Sequence, residues 1–212
     1  MRNPWLDVPP GDYERHMSSP AVDQLSTLAR LFGEALEVFR PADVLLLGIA
    51  TGNGLDRIDA NVTRHVTGID INPEYLARTR TLYSTPAFDL TLQCADAAAI
   101  AYTPATYDFV HCALVLEYLD WRQLLVALAP AIRPGGGLSV VLQRPSATAP
   151  PVTPTPYASL ERLETVFHFV EAQSLIDEAR REGLELRSRR TVPLQSGKAF
   201  ELLLFEKASG RS

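Results

Sequence analysis

The chain lacks any apolar run near the roughly 20 residues that a membrane-spanning helix needs, so none of its 212 residues is expected to cross a bilayer. Its opening stretch, MRNPWLDVPPGDYERH, has one early arginine and no apolar segment behind it, which predicts no secretory signal and a cytoplasmic location. Cysteine is scarce. Cys94 and Cys112 are the only two, both in apolar stretches that read as strands, and reduced, buried thiols are expected rather than a disulfide. No cluster of metal-ligating side chains appears, so no metal is expected. A basic surplus is also missing: 20 Lys and Arg face 25 Asp and Glu, a formal net charge of -5. A broad phosphate-binding surface needs a concentrated cationic patch, and nucleic acid is therefore not an expected partner. Arg187, Arg189 and Arg190 alternate with other residues and read as an exposed strand face. No internal repeat is visible, and the length suits one domain closed over a single sheet.

What is present is an alternation of short β-branched or Leu-rich runs with longer helical patterns, the pattern of βαβ units and parallel strands. Val22, Leu25, Leu28, Leu31, Phe32, Ala35 and Leu36 predict an amphipathic helix over Pro20–Phe39. DVLLLG after Pro41 reads as a buried first strand, followed by a Gly-rich turn and a helix through about Ala60. VTGID ending at Asp70 is the second strand, and Pro73 opens a helix to about Tyr83. FDLTLQC, YDFVHCALV and GLSVVLQ supply strands three to five, with a helix from Asp120 to about Ile132 before the fifth. The proline-rich RPSATAPPVTPTPY is a loop. A helix over Glu171–Arg181 stops at Gly183, and LELRSRRTVPL and KAFELLLFEK, joined by a short polar stretch, form an antiparallel pair.

Gly48, Ala50, Gly52 and Gly54 lie between a buried strand and the next element, where small residues allow a ligand close to the backbone. A tight turn that needs glycine gives the same pattern. Asp70 ends the second strand at the distance where a carboxylate accepts from ribose hydroxyls in a doubly wound sheet. Asp96 ends the third strand in the same manner, and helix capping accounts for it equally well.

Taken in order, LLLGIATGNG, VTGIDINPEYL, CADAAAIAY, YDFVHCALVLEYL and IRPGGGLSVV resemble the successive motifs of the class I S-adenosylmethionine-dependent methyltransferases, over Asp43 to Lys207. The resemblance implies a Rossmann-like α/β fold: a seven-stranded, mostly parallel sheet, an antiparallel C-terminal hairpin, and helices on both faces. It also implies a helical lid segment over 1–40 on a cofactor-binding domain over 41–212. For the cofactor, S-adenosyl-L-methionine, it implies backbone around Gly48, Ala50 and Gly52 facing the methionine part and Asp70 on the ribose. Ile71 then packs on the adenine, Asp96 and the Ala97 N–H bind its edge, and the Cys112 carbonyl receives the methionine ammonium.

Two residues depart from that pattern. Leu46 stands where an acid usually closes strand one, and Ala50 replaces a glycine, adding a methyl and excluding a glycine-only backbone angle. Methyl transfer needs alignment and, for a protonated nucleophile, a base. Glu117 is the best-placed candidate base, although such a glutamate is more commonly exposed at the start of a helix, and no catalytic residue is assigned. His111 reads as a core histidine, and His168 lies in a stretch that borders the acceptor in many relatives. Trp5, Tyr13, His16 and Met17 precede the first helix as a lid or as ordinary packing. The acceptor pocket is expected between them, Leu114 to Tyr118, and the proline-rich loop, suiting a compact, partly apolar small molecule. Two other readings stay open: a non-catalytic protein that binds the same cofactor, and an NAD-dependent oxidoreductase, whose G-x-G-x-x-G fingerprint fits badly from Gly48 or Gly52.

Overall fold

A computed structural model describes residues 2–147 and 149–209. Thr148, within the proline-rich loop, and both chain ends, Met1 and 210–212, lie outside the described residues. Helices α1 (Pro10–Ser18) and α2 (Leu25–Phe39) precede strand β1 (Asp43–Leu47). Then come β2 (His65–Asp70), α3 (Pro73–Leu82), β3 (Asp89–Cys94), β4 (Tyr107–Ala113), α4 (Trp121–Leu128) and β5 (Ile132–Gln143). Helix α5 (Ala172–Arg181) leads to the closing strands β6 (Leu184–Pro193) and β7 (Ala199–Lys207). The sheet order is β3-β2-β1-β4-β5-β7-β6. Strands β1 to β5 pair in parallel, and β7 runs antiparallel to both β5 and β6. This is the Rossmann-like methyltransferase sheet. The chain builds outward from β1 to β3, then returns to place β4 beside β1, so a crevice opens at the C-terminal ends of β1 and β4.

The unbroken apolar run of β1 follows from burial on both faces. Leu45 and Leu47 join one core with residues of α4 and α5, including Leu124, Leu128, Leu175 and Ile176. Val44 and Leu46 join a second core with Phe32, Ala35 and Leu36 of α2 and Leu76 of α3.

Local chemistry corrects three expectations. The helix expected over Pro20–Phe39 begins only at Leu25, and a separate helix that the periodicity did not predict, α1, precedes it; Pro20 disfavours helical backbone at Ser19, which takes φ -64 and ψ 146 and ends α1. The stretch between them is a turn in which Val22 and Asp23 both donate to the Ser19 carbonyl. The helix expected after the Gly-rich turn is a single 3₁₀ turn, Leu55–Arg57. Asp59 accepts from the Asn61 N–H through its side chain at 2.9 Å, a local turn that competes with helix. Helix α2 takes the vacated space: a Cβ on Gly54 would lie 3.0 Å from the Phe32 ring. Of the two cysteines, Cys112 is buried but Cys94 is exposed, because β3 is the edge strand of the sheet.

Candidate functional site

At the C-terminal ends of the parallel strands lies a cavity of about 350 Å³. Of the residues expected to hold the cofactor, Gly48, Ala50, Asp70, Ile71, Asp96 and Ala97 line it, whereas Gly52 and Cys112 do not. Gly52 has a structural task. Its φ is +86, and a Cβ there would stand 2.9 Å from Tyr83 and 3.0 Å from Thr79, so only glycine lets α3 close on the turn. Cys112 is fully inside β4, and the next residues, Ala113, Leu114 and Val115, face the cavity instead. They do so because Leu114 takes a left-handed φ of +55 while its N–H donates to the Val141 carbonyl. Val115 then packs against Gly48, where any Cβ would approach its methyl to 2.4 Å.

Asp70 organises the turn between β1 and the ligand edge. Its Oδ2 accepts from the Ala50 N–H at 2.8 Å and its Oδ1 from the Asn72 N–H at 2.9 Å. Burial pushes its carboxyl up to about 6, against the lowering effect of its backbone hydrogen bonds. Ala50 adopts φ +49, and Thr79 Oγ1 donates to its carbonyl at 3.0 Å. The left-handed angle is thus held by partners on both sides rather than excluded by the methyl. Asp96 lines the cavity, and its Oδ1 accepts from the Ala98 N–H at 2.9 Å in a local turn; it caps no helix, since none lies between β3 and β4 among the described residues.

The N-terminal segment closes over this edge. Asn72 caps α3 through Oδ1, and its Nδ2 donates to the carbonyls of Trp5 at 2.9 Å and Val8 at 3.2 Å. The Trp5 ring meets Tyr118 edge-on at 5.0 Å and Tyr13 at 6.3 Å, while Tyr13 lies 5.2 Å from Tyr75. Tyr75 lines the cavity with a buried hydroxyl that has no partner among the described residues. The proline-rich loop completes the roof. The Pro151 carbonyl accepts from Gln143 Nε2 at 2.9 Å and from Lys198 Nζ at 2.8 Å, and His16 Nδ1 shares a hydrogen bond with Thr155 Oγ1 at 2.9 Å.

Glu117 departs from the exposed position its sequence suggests. It is fully buried, its Oε1 accepts from the Gln143 N–H at 2.8 Å, and its Oε2 has no partner among the described residues. Burial pushes it up to about 7. It does not line the cavity, so it steadies the end of β5 instead of meeting a ligand. His111 is a core residue, 4.9 Å from the Phe32 ring, and its Nδ1 has no partner among the described residues. His168 is exposed outside the cavity, and its N–H donates to the Glu117 carbonyl at 2.9 Å. Lys198, Gln143 and Gln24, all buried polar residues lining the cavity, went unremarked in the sequence. Among the described residues no group of His, Cys, Asp or Glu is arranged to hold a metal, and no helix is long and apolar enough to cross a membrane.

A methyltransferase domain family matches residues 44–136, and no curated protein matches the chain by sequence. Among solved structures, the chain is similar to the N-methyltransferase NodS from Bradyrhizobium japonicum WM9 in complex with S-adenosyl-l-homocysteine. That likeness has a TM-score of 0.64 and 20% identity over 98% of this chain and 93% of that one. An S-adenosylmethionine-dependent methyltransferase from Mesorhizobium loti matches with a TM-score of 0.68 and 18% identity, over 84% of this chain and 96% of that one. The [4+2]-cyclase SpnF matches with a TM-score of 0.67 and 16% identity, over 87% and 82%. At these identities the likeness is one of fold, and it includes a protein named for a different reaction. The domain match covers residues 44–136, from β1 into β5, and the fold of the chain, with its sheet order, is that of the Rossmann-like methyltransferases.

Proposed function

We propose that this chain transfers a methyl group from S-adenosylmethionine to a small-molecule acceptor, both held in the cavity above β1 and β4. The observation that carries this reading is a single cavity reaching from the strand-end acids Asp70 and Asp96 to the β5 end at Gln143. The donor set fits the cofactor. Each Asp70 oxygen accepts one backbone N–H and keeps a lone pair for a ribose hydroxyl. Asp96 and the Ala97 backbone suit the adenine edge, and Ile71 its face. The unpartnered Tyr75 hydroxyl offers a further polar contact. The backbone from Gly48 to Ala50, with Ala113 and Leu114 in place of Cys112, borders the methionine part.

Bound there, the cofactor supplies an electrophilic methyl on a sulfonium sulfur. The chain's task is alignment and exclusion of water. The Trp5, Tyr13 and Tyr118 rings and the loop residues Pro151 to Thr153 do both, with residues 1–40 serving as the lid on the domain over 41–212. No side chain among those lining the acceptor end is assigned as a base. The acidic balance of the chain supports a small molecule over nucleic acid. The exposed, unpaired Cys94 suits a reducing, cytoplasmic location. Calorimetry tests the reading: S-adenosylhomocysteine should bind and NAD should give no heat. Binding of NAD without either sulfur cofactor overturns it.

A further inference from the structure

The two ends of the cavity carry opposite charge. Asp70 ends β2 and Asp96 follows β3, whereas Lys198 immediately precedes β7, four strands from β2 in the sheet. At about 4.8 Å per strand, that separation is about 19 Å. Lys198 is 4% exposed and lines the cavity. An ammonium has three donors, yet the only acceptor it meets among the described residues is the Pro151 carbonyl. No described carboxylate lies within ion-pair distance of it. The exposed Glu164 acts on it only at longer range, while burial pulls it down to about 8, so it remains charged near neutral pH. His16, lining the cavity nearby, offers no counter-charge: burial first, and then the Lys198 charge, pull its imidazole down to about 4 and keep it neutral.

A structural role does not account for this lysine. The hairpin contact at this position, from the Leu194 N–H to the Lys198 carbonyl, is backbone and indifferent to the side chain. The Pro151 carbonyl is already held by Gln143. Burying an unpaired ammonium costs several kcal/mol, and a cation retained at that cost in a ligand cavity points to an anion that arrives with the ligand. Lysine is otherwise rare here: Lys198 and Lys207 are the only two in the chain.

Building on the methyltransferase reading, we infer that the acceptor carries an anionic group, of carboxylate size, that pairs with Lys198 at the β5–β7 end of the cavity. The rest of the acceptor lies between that anchor and the cofactor, against Tyr118, Trp5 and Val152. Its accepting atom is therefore set apart from its anion by the apolar part of the molecule.

The test uses three probes of one shape, benzoate, benzamide and benzylamine, titrated into the full chain with and without saturating S-adenosylhomocysteine. Binding is followed by saturation-transfer NMR and by tryptophan fluorescence. Benzoate should bind about tenfold or more tightly than either other probe. Lys198→Met and Lys198→Gln should abolish that preference while leaving S-adenosylhomocysteine affinity unchanged. The wild-type probe series needs no variant to fold. Preference for benzylamine, no saturable binding by any probe, or benzoate affinity untouched in the folded variants overturns the inference. Loss of S-adenosylhomocysteine affinity in the variants also overturns it, by assigning Lys198 to the cofactor's own carboxylate. Failure of the wild-type chain to bind S-adenosylhomocysteine is a separate result and bears on the methyltransferase reading alone.

Discussion

Replacing Glu117 with glutamine tests whether the carboxyl under the end of β5 is held protonated. In the folded chain it is buried, has one N–H partner, and its carboxyl moves from 4.5 to about 7. A shift of that size corresponds to about 3 kcal/mol between the two protonation states. Because the folded value lies above the unfolded one, the folded state binds the proton more tightly. Stability is therefore greatest below 4.5, falls as pH rises through the window, and has lost about 3 kcal/mol above 7. Glutamine keeps the acceptor for the Gln143 N–H and carries no charge. Its amide does put an unpartnered donor where Oε2 now sits, at a cost of about 1 kcal/mol. Glu117→Gln should be slightly less stable than wild type at about pH 4 and more stable by about 2 kcal/mol at about pH 8. Urea unfolding of both proteins across that range gives the difference directly, and the titrations of His16 and His111 cancel in it. A difference that does not change with pH, or one that favours wild type more as pH rises, refutes the reasoning.

Asp70→Ala should weaken S-adenosylhomocysteine binding by about 1–3 kcal/mol in calorimetry, since it removes the hydroxyl acceptor and the anchor of the Ala50 turn. Unchanged affinity removes Asp70 from the site. Asn72→Ala deletes the α3 cap and both lid hydrogen bonds. It should cost about 1–3 kcal/mol of stability and speed release of S-adenosylhomocysteine in stopped-flow fluorescence of Trp5, and equal release rates would exclude the latch.

Elements with strong periodicity or clear punctuation were legible in the sequence. The buried run of β1, the proline opening α3 and the Gly183 stop after α5 each follow from the local chemistry of a few residues. The segment after Gly54 was not, because Asp59 forms its own turn and α2, distant in sequence, covers the face that a helix would fill. The strand-end lining of the cavity was legible for the same local reason: Asp70, Asp96 and the small residues Gly48 and Ala50 sit at strand ends. Glu117 and Lys198 were not. Each is a charged residue in a stretch that reads as surface, and each is buried by elements that tertiary packing alone brings over it. For Glu117 these include Gln143 of β5, and for Lys198 the loop carrying Pro151.

The departures at Leu46 and Ala50 have different reach. Ala50 touches the cavity, and its left-handed backbone, unfavourable for alanine by about 1–2 kcal/mol, is retained because Asp70 and Thr79 grip its N–H and carbonyl. Leu46 points away from the cavity into the α2 core. Its register partner on β4 is His111, whose buried Nδ1 has no partner among the described residues and whose imidazole burial pulls down to about 4. An acid at position 46 would stand beside that imidazole on the same face of the sheet and favour its protonated form. With leucine there, a neutral histidine is the form that the apolar face tolerates. Leu46 and His111 thus form one consistent pair on the face opposite α4 and α5, and the missing acid alters the α2 core rather than the lining of the cavity.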